Sequence, residues 1–152
     1  MLFGNLTVTK NLKWGSKMTD EVRTDVQEKL LSGDYSCAKE LTLSMFSGKW
    51  KIVILYHLGK DGIYRFGELK KLLPNASNKV LTQQLRELEQ DELITRTVYP
   101  EVPVRVDYQI TELGLSLIPI IDLMYEWGTQ RLKQLTHVPP HNINEDAIKN
   151  NE

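Results

Sequence analysis

The hydrophobic positions fall into short runs at helical spacing, switch to strand alternation, and then return to helical spacing. Cys37, Leu41 and Met45 recur at four-residue intervals with Phe46 adjoining, which predicts a helix with one apolar face, ended by Gly48. Residues 50–58 are apolar nearly all round and predict a helix inside the core. Gly59 and Gly62 bracket a turn, and Phe66, Leu69, Leu72 and Leu73 predict a helix that Pro74 stops. Ser77 is a suitable N-cap for a helix over residues 78–90, with Leu81, Leu85 and Leu88 as its buried stripe. Residues 93–99 and 104–110 alternate as two strands, and Pro100 and Pro103 stiffen the loop between them. Thr111 and Glu112 open a last helix running to about residue 135, with Leu113, Leu117, Ile120, Ile121, Met124, Trp127, Gly128 and Leu132 on its apolar side. Pro119 predicts a kink, or a break near Leu115.

Upstream, residues 20–31 predict a short helix capped by Thr19 or Asp20, with Val22, Val26 and Leu30 on one side and Gly33 at its end. The chain therefore divides into an N-terminal extension over residues 1–35, partly disordered or a short helix, a domain over residues 36–135, and a Pro-, Asn- and acid-rich disordered tail over residues 136–152. Met18 offers an alternative start. Helices, a turn, a further helix and then a Pro-pinned hairpin make a winged helix-turn-helix. The expected class is α+β, mostly helical, with dimerisation helices flanking the wing module.

Overall charge adds nothing to this picture, at −1 for 152 residues, but its distribution does. Between residues 49 and 86 lie Lys49, Lys51, Lys60, Arg65, Lys70, Lys71, Lys79 and Arg86 against Asp61 and Glu68, a local net of +6. Between residues 87 and 112, seven acids (Glu87, Glu89, Asp91, Glu92, Glu101, Asp107 and Glu112) face Arg96 and Arg105, a net of −5. The molecule is polarised, and its basic pole coincides with the helix over residues 78–90.

A helix that reads duplex DNA anchors one face in the core and offers polar side chains from the other. With Leu81, Leu85 and Leu88 inward, the outer stripe carries Asn78, Lys79, Thr82, Gln83 and Arg86, residue types that hydrogen-bond base edges. Gln84 and Glu87 lie off that stripe. Lys49, Lys51, Arg65, Lys70 and Lys71 are candidate phosphate contacts, which set position without reading sequence. Arg105 stands beside the wing tip, placed either for a narrow minor groove or for an ion pair with Glu101 or Asp107.

The single cysteine, Cys37, excludes an intramolecular disulfide framework and a Cys-based zinc site. His57, His137 and His141 are scattered, with no metal-ligand grouping, and no phosphate loop or nucleophile–base pair appears. No metal, no cofactor and no enzymatic activity are expected. The longest apolar stretch, residues 52–58, is too short to cross a bilayer, no secretory signal opens the chain, and a cytoplasmic location without membrane contact is expected.

Six segments together resemble the HxlR-type winged helix-turn-helix transcription regulators. They are the runs opening at Cys37 (CAKELTL), Gly48 (GKWK), Arg65 (RFGEL), Leu81 (LTQQLRELE), Tyr99 (YPEVPVRVDY) and Thr111 (TELG). The resemblance covers about residues 36–132. It implies a DNA-binding regulator that works as a homodimer, with the helix after Ser77 in the major groove. Ser47-Gly48 stands where the family often has two glycines, and Gln90-Asp91-Glu92 where an Asp-Gly turn is common, so Glu92 is expected to strain that turn.

The last helix has more apolar surface than one small core needs. Leu117, Ile121, Met124 and Trp127 are expected to meet a second chain, together with Leu41 and Met45. Cys37 falls at the start of its helix near Lys39, where helix dipoles favour a thiolate. Some members of the family carry a cysteine at this place and respond to oxidants or electrophiles such as quinones. The resemblance thus implies a candidate redox switch at Cys37, against the plainer role of a small buried apolar residue. Two other readings stand beside this one: a winged-helix protein-interaction module without DNA contact, and a regulator gated by a small ligand in a cleft lined by Trp50, Tyr56, Tyr125 and Trp127.

Overall fold

The computed structural model describes residues 22–136. In chain order these form α1 (Thr24–Ser32), α2 (Ala38–Phe46), α3 (Lys51–Asp61), β1 (Tyr64–Arg65), α4 (Phe66–Leu72), α5 (Asn78–Gln90), β2 (Ile94–Tyr99), β3 (Arg105–Ile110), α6 (Glu112–Leu115) and α7 (Ile118–Thr136). The fold is α+β and mostly helical, as the hydrophobic pattern predicts. The expected tail over residues 137–152, Met18 and the expected caps Thr19 and Asp20 lie outside the described residues.

Helices α3, α4 and α5 form the central layer because each has one stripe too apolar to leave in water. Ile54, Leu55 and Leu58 of α3 meet Leu69 and Leu72 of α4 and Leu81, Leu85 and Leu88 of α5 in one core. Fully burying a leucine side chain contributes about 1.5–3 kcal/mol, so the three α5 leucines alone anchor that helix firmly. Ser77 caps it as expected, its Oγ accepting the Val80 N–H at 3.2 Å. The turn before it is closed by Lys70, whose Nζ donates to the carbonyls of Pro74 at 3.0 Å and Ala76 at 2.6 Å.

The wing pairs Ile94 with Ile110 through Tyr99 with Arg105, antiparallel. A third strand escapes sequence analysis. Tyr64 and Arg65 pair with Tyr108 and Asp107, giving the sheet order β1-β3-β2. Two residues are too few for alternation to show, and the pattern there merges into the start of α4. After α5 the chain turns sharply at Glu92, whose φ is +56°, the left-handed conformation that the missing glycine would have taken without strain.

The last helix breaks after Leu115, one of the two outcomes expected of Pro119. Thr111 caps α6, its Oγ1 accepting the Gly114 N–H at 3.0 Å, and the chain restarts as α7 at Ile118. Pro119 sits in the first turn of α7, where its missing N–H costs no hydrogen bond and its fixed φ suits the helix. The split also divides the expected dimerisation stripe. Ile121 is 2% exposed and belongs to the chain's own core, and Leu117 packs against that core. Leu41 is half-buried, and Met45 packs against the core. Met124 and Trp127 point outward, joined by Leu123 and Leu135.

Helix α1 starts later than expected, with Arg23 at its N-cap position, and of the expected stripe Val26 is buried while Leu30 is exposed. Arg23 explains the late start. Its backbone N–H donates to Asp91 Oδ1 at 3.0 Å and its Nε to Asp91 Oδ2 at 2.8 Å, while its Nη2 donates to the Ser44 carbonyl at 2.5 Å. One side chain thus ties α1 to α2 and to the far end of α5.

Candidate nucleic-acid interface

Helix α5 presents Asn78, Lys79, Gln83 and Arg86 exposed and Thr82 half-exposed, opposite its buried leucines. The outer stripe is therefore contiguous. Lys71 is exposed nearby, and Lys49 is exposed with its Nζ 4.8 Å from the centre of the Trp50 ring, a cation–π position.

Several of the expected DNA contacts have structural partners. Lys51 requires correction: it is wholly buried, its Nζ 2.6 Å from Glu87 Oε2. It opens α3 on the side facing α5, and a buried ammonium persists only beside an opposite charge. Lys70 spends its ammonium on the two carbonyls of the turn before α5. Arg105 makes a two-pronged contact with Asp107, Nε to Oδ1 at 2.9 Å and Nη2 to Oδ2 at 2.6 Å, and lies 4.6 Å from the Tyr99 ring centre. Arg65 remains exposed but leans toward the same carboxylate at 3.8 Å.

The Arg105 guanidinium holds the Asp107 carboxyl below the ordinary carboxylate range, against the opposing effect of burial. A depressed native value means that this stability is present at neutral pH and is lost as pH falls through that value. Asp107→Asn is therefore expected to unfold at lower temperature than the parent at pH 7. The gap should close once pH falls well below the ordinary aspartate value of about 3.9. Thermal scans across that range check it, and a gap that persists into strong acid would rule out the ion pair as its source.

Two residues set aside in the sequence turn out to organise the interface from behind. Gln84 Oε1 accepts the Trp50 N–H at 2.9 Å, tying the start of α3 to α5. Glu87 gathers Lys51 at 2.6 Å, Arg23 at 3.5 Å and the Gln83 amide, which donates from Nε2 to Oε1 at 2.9 Å. Their distance from the outer stripe was readable; their partners were not, because those lie on α1 and α3.

Cys37 stands at the N-cap position of α2 and is exposed in the single chain. His57 is nearly buried on α3, with Nδ1 3.0 Å from Asp61 Oδ2. The Tyr64 hydroxyl also donates to that oxygen, and burial together with that bond pushes the Tyr64 phenol up to about 12. Of the four aromatics suggested for a ligand cleft, Tyr56 and Tyr125 stack with centres 6.3 Å apart, while Trp127 is largely exposed. Among the described residues no helix is long and apolar enough to cross a membrane.

A family model described as HxlR-like helix-turn-helix matches residues 45–136. The chain belongs to that family. A Fusobacterium mortiferum protein provisionally named the regulatory protein MalR is 52% identical over 96 residues, covering 63% of this chain and 91% of that protein. The HTH-type transcriptional regulator YdeP of Bacillus subtilis, itself uncharacterised, is 41% identical over 129 residues, 81% of this chain and 100% of that protein. Among solved structures, the redox regulator HypR in its reduced form superposes with a TM-score of 0.62 at 41% identity, covering 67% of this chain and 100% of that one. Membership of the HxlR-like family makes the chain a transcriptional regulator of helix-turn-helix type.

Proposed function

We propose that this regulator binds duplex DNA as a homodimer, in the cytoplasm, with α5 of each protomer in the major groove of a two-fold symmetric operator. The observation that carries this reading is the outer stripe of α5: five base-reading side chain types on a helix pinned from behind by Leu81, Leu85 and Leu88. Lys49 and Lys71, with Arg65, supply the phosphate contacts; Lys51, Lys70 and Arg105 support the reading head instead. The outward apolar residues of α7, Leu123, Met124, Trp127 and Leu135, suit a second copy, which would set two recognition helices about 34 Å apart.

The test is titration of promoter duplex. The parent should bind with an affinity that falls steeply with salt, since phosphate neutralisation releases counterions. Gln83→Ala with Arg86→Ala should weaken operator binding at least roughly 30-fold, two base contacts at about 1 kcal/mol or more each. Unchanged affinity and base preference would favour the protein-interaction reading. Sedimentation as a 17.6 kDa species at micromolar concentration would remove the dimer.

A second reading is favoured by one observation. Cys37 is exposed at the start of α2, and HypR, similar over 67% of this chain, is described as a redox regulator. On this reading, oxidants or electrophiles modify Cys37 and shift α2 against the pairing surface, changing operator affinity. Repeating the titration with diamide should show a response in the parent and none in Cys37→Ser; a response shared by both would point instead to a small-ligand or second route.

A further inference from the structure

We propose that Arg23 sets the roll of α5 about its own axis, and with it the angle at which the outer stripe meets base edges. The inference rests on the DNA-binding reading above. Gln84, Glu87 and Asp91 follow one another at i, i+3 and i+7, so they form one flank along α5 and its C-cap, beside the leucine face. The leucines fix how deep the helix sits, but apolar contact is non-directional and tolerates rotation. Hydrogen bonds weaken steeply as their angles open, and they fix the roll. The flank is gripped in this way from two sides. The start of α3 holds it through the Trp50 N–H on Gln84 at 2.9 Å and Lys51 Nζ at 2.6 Å from Glu87. Arg23 holds it through Asp91, with donors at 3.0 and 2.8 Å, and through Glu87 at 3.5 Å.

Arg23 is itself a fixed post. Its Nη2 donates to the Ser44 carbonyl at 2.5 Å, one of the last four carbonyls of α2, which have no partner within that helix. Its Nη1 lies 3.6 Å from Asp25 on the first turn of α1. Asp91 is the C-cap of α5, where a nearby cation also suits the helix dipole. The guanidinium is planar and sends its donors in fixed directions, so one side chain ties the end of α2 and the start of α1 to the flank of α5. Burial pushes the Glu87 carboxyl up, but the Lys51 and Gln83 contacts outweigh it and hold the group below its ordinary range. Glu87 is therefore ionised at neutral pH, and it passes the grip to the outer stripe by accepting the Gln83 amide at 2.9 Å.

Reading a base edge requires side chains held within about 10–20° of their productive orientation. Phosphate contacts position the protein without reading sequence. A loosened roll therefore costs sequence-specific binding and spares binding to the backbone. With its side chain enclosed by these partners, Arg23 touches no base; it is a positioning residue for the outer stripe.

The experiment uses the full chain and two duplexes of equal length, one that the parent enriches from a randomised pool and one with that sequence scrambled. Arg23→Lys keeps the charge but not the fork. At a temperature where circular dichroism shows it fully folded, it should bind the enriched duplex at least about fivefold more weakly than the parent, the lower end of what one base contact contributes. Its affinity for the scrambled duplex, and the salt dependence of that affinity, should match the parent's. Arg23→Met with Asp91→Leu removes the cation together with its main partner. It should show the same selective loss, and it decides the question if Arg23→Lys does not fold. A lower melting temperature with both affinities at the parent's values is the mark of a merely stabilising contact and overturns the inference. So does a loss of equal size on both duplexes. A parent that binds every duplex alike has no base reading to position, which overturns it as well. A parent that retains no duplex removes the DNA-binding reading, and this inference with it.

Discussion

Asp91→Ala is expected to lower the unfolding free energy by about 3–5 kcal/mol, a large part of the total for a domain of this size. The Asp91 side chain is fully shielded, and its carboxylate receives two donors from Arg23 at 3.0 and 2.8 Å. Burial pushes the Asp91 carboxyl up, and the Arg23 N–H and guanidinium pull against that. Removing the acid leaves a guanidinium, only 12% exposed, without its main partner. Among carboxylates the guanidinium keeps only longer contacts, with Glu87 at 3.5 Å and Asp25 at 3.6 Å, and that weakened compensation sets the size of the effect. Urea unfolding followed by circular dichroism measures it. The double variant Arg23→Met with Asp91→Leu should recover much of the loss, since an apolar pair of similar volume needs no charge balance. A single variant within about 1 kcal/mol of the parent would show that the pair contributes little.

Gly114→Ala is expected to cost about 3 kcal/mol and to lower the melting temperature by roughly 10 °C. A Cβ on Gly114 would press into the Leu93 carbonyl oxygen, far inside van der Waals contact, and would reach 2.7 Å from Ile110 Cγ1. The first obstacle is backbone, and that carbonyl already accepts the Thr111 N–H at 3.1 Å. Relief therefore requires the start of β2 and the α6 cap to separate. Restricting the unfolded chain offsets less than about 1 kcal/mol of this. Differential scanning calorimetry reads the shift, and a melting temperature unchanged within 2–3 °C, a shift of about 1 kcal/mol or less, would mean that the junction is looser than its spacing suggests.

Most of the architecture was legible because its helices and strands carry strong, local patterns. Leu81, Leu85 and Leu88 define the inner face of α5, and Ser77 and Pro74 punctuate it, without reference to any distant residue. The hairpin was legible for the same reason. What escaped depends on partners far along the chain. The pairing of Tyr64 with Tyr108 and of Arg23 with Asp91 spans many residues and leaves no periodic trace. Lys51 carried the opposite lesson. A lysine at the head of an apolar helix looks like a phosphate contact, and only the approach of Glu87 from α5 reveals it as an interior ion pair. Ile121 was misplaced by the same logic, since an apolar stripe does not say which part serves the chain's own core and which part another's.

Arg23 lies 22 positions ahead of residue 45, where the match to the family model begins, yet it closes the far end of α5. The span that the family model matches and the unit of folding therefore have different lengths in this protein. A fragment cut at residue 45 would retain every side chain of the outer stripe of α5 and strand Asp91, stripped of its guanidinium.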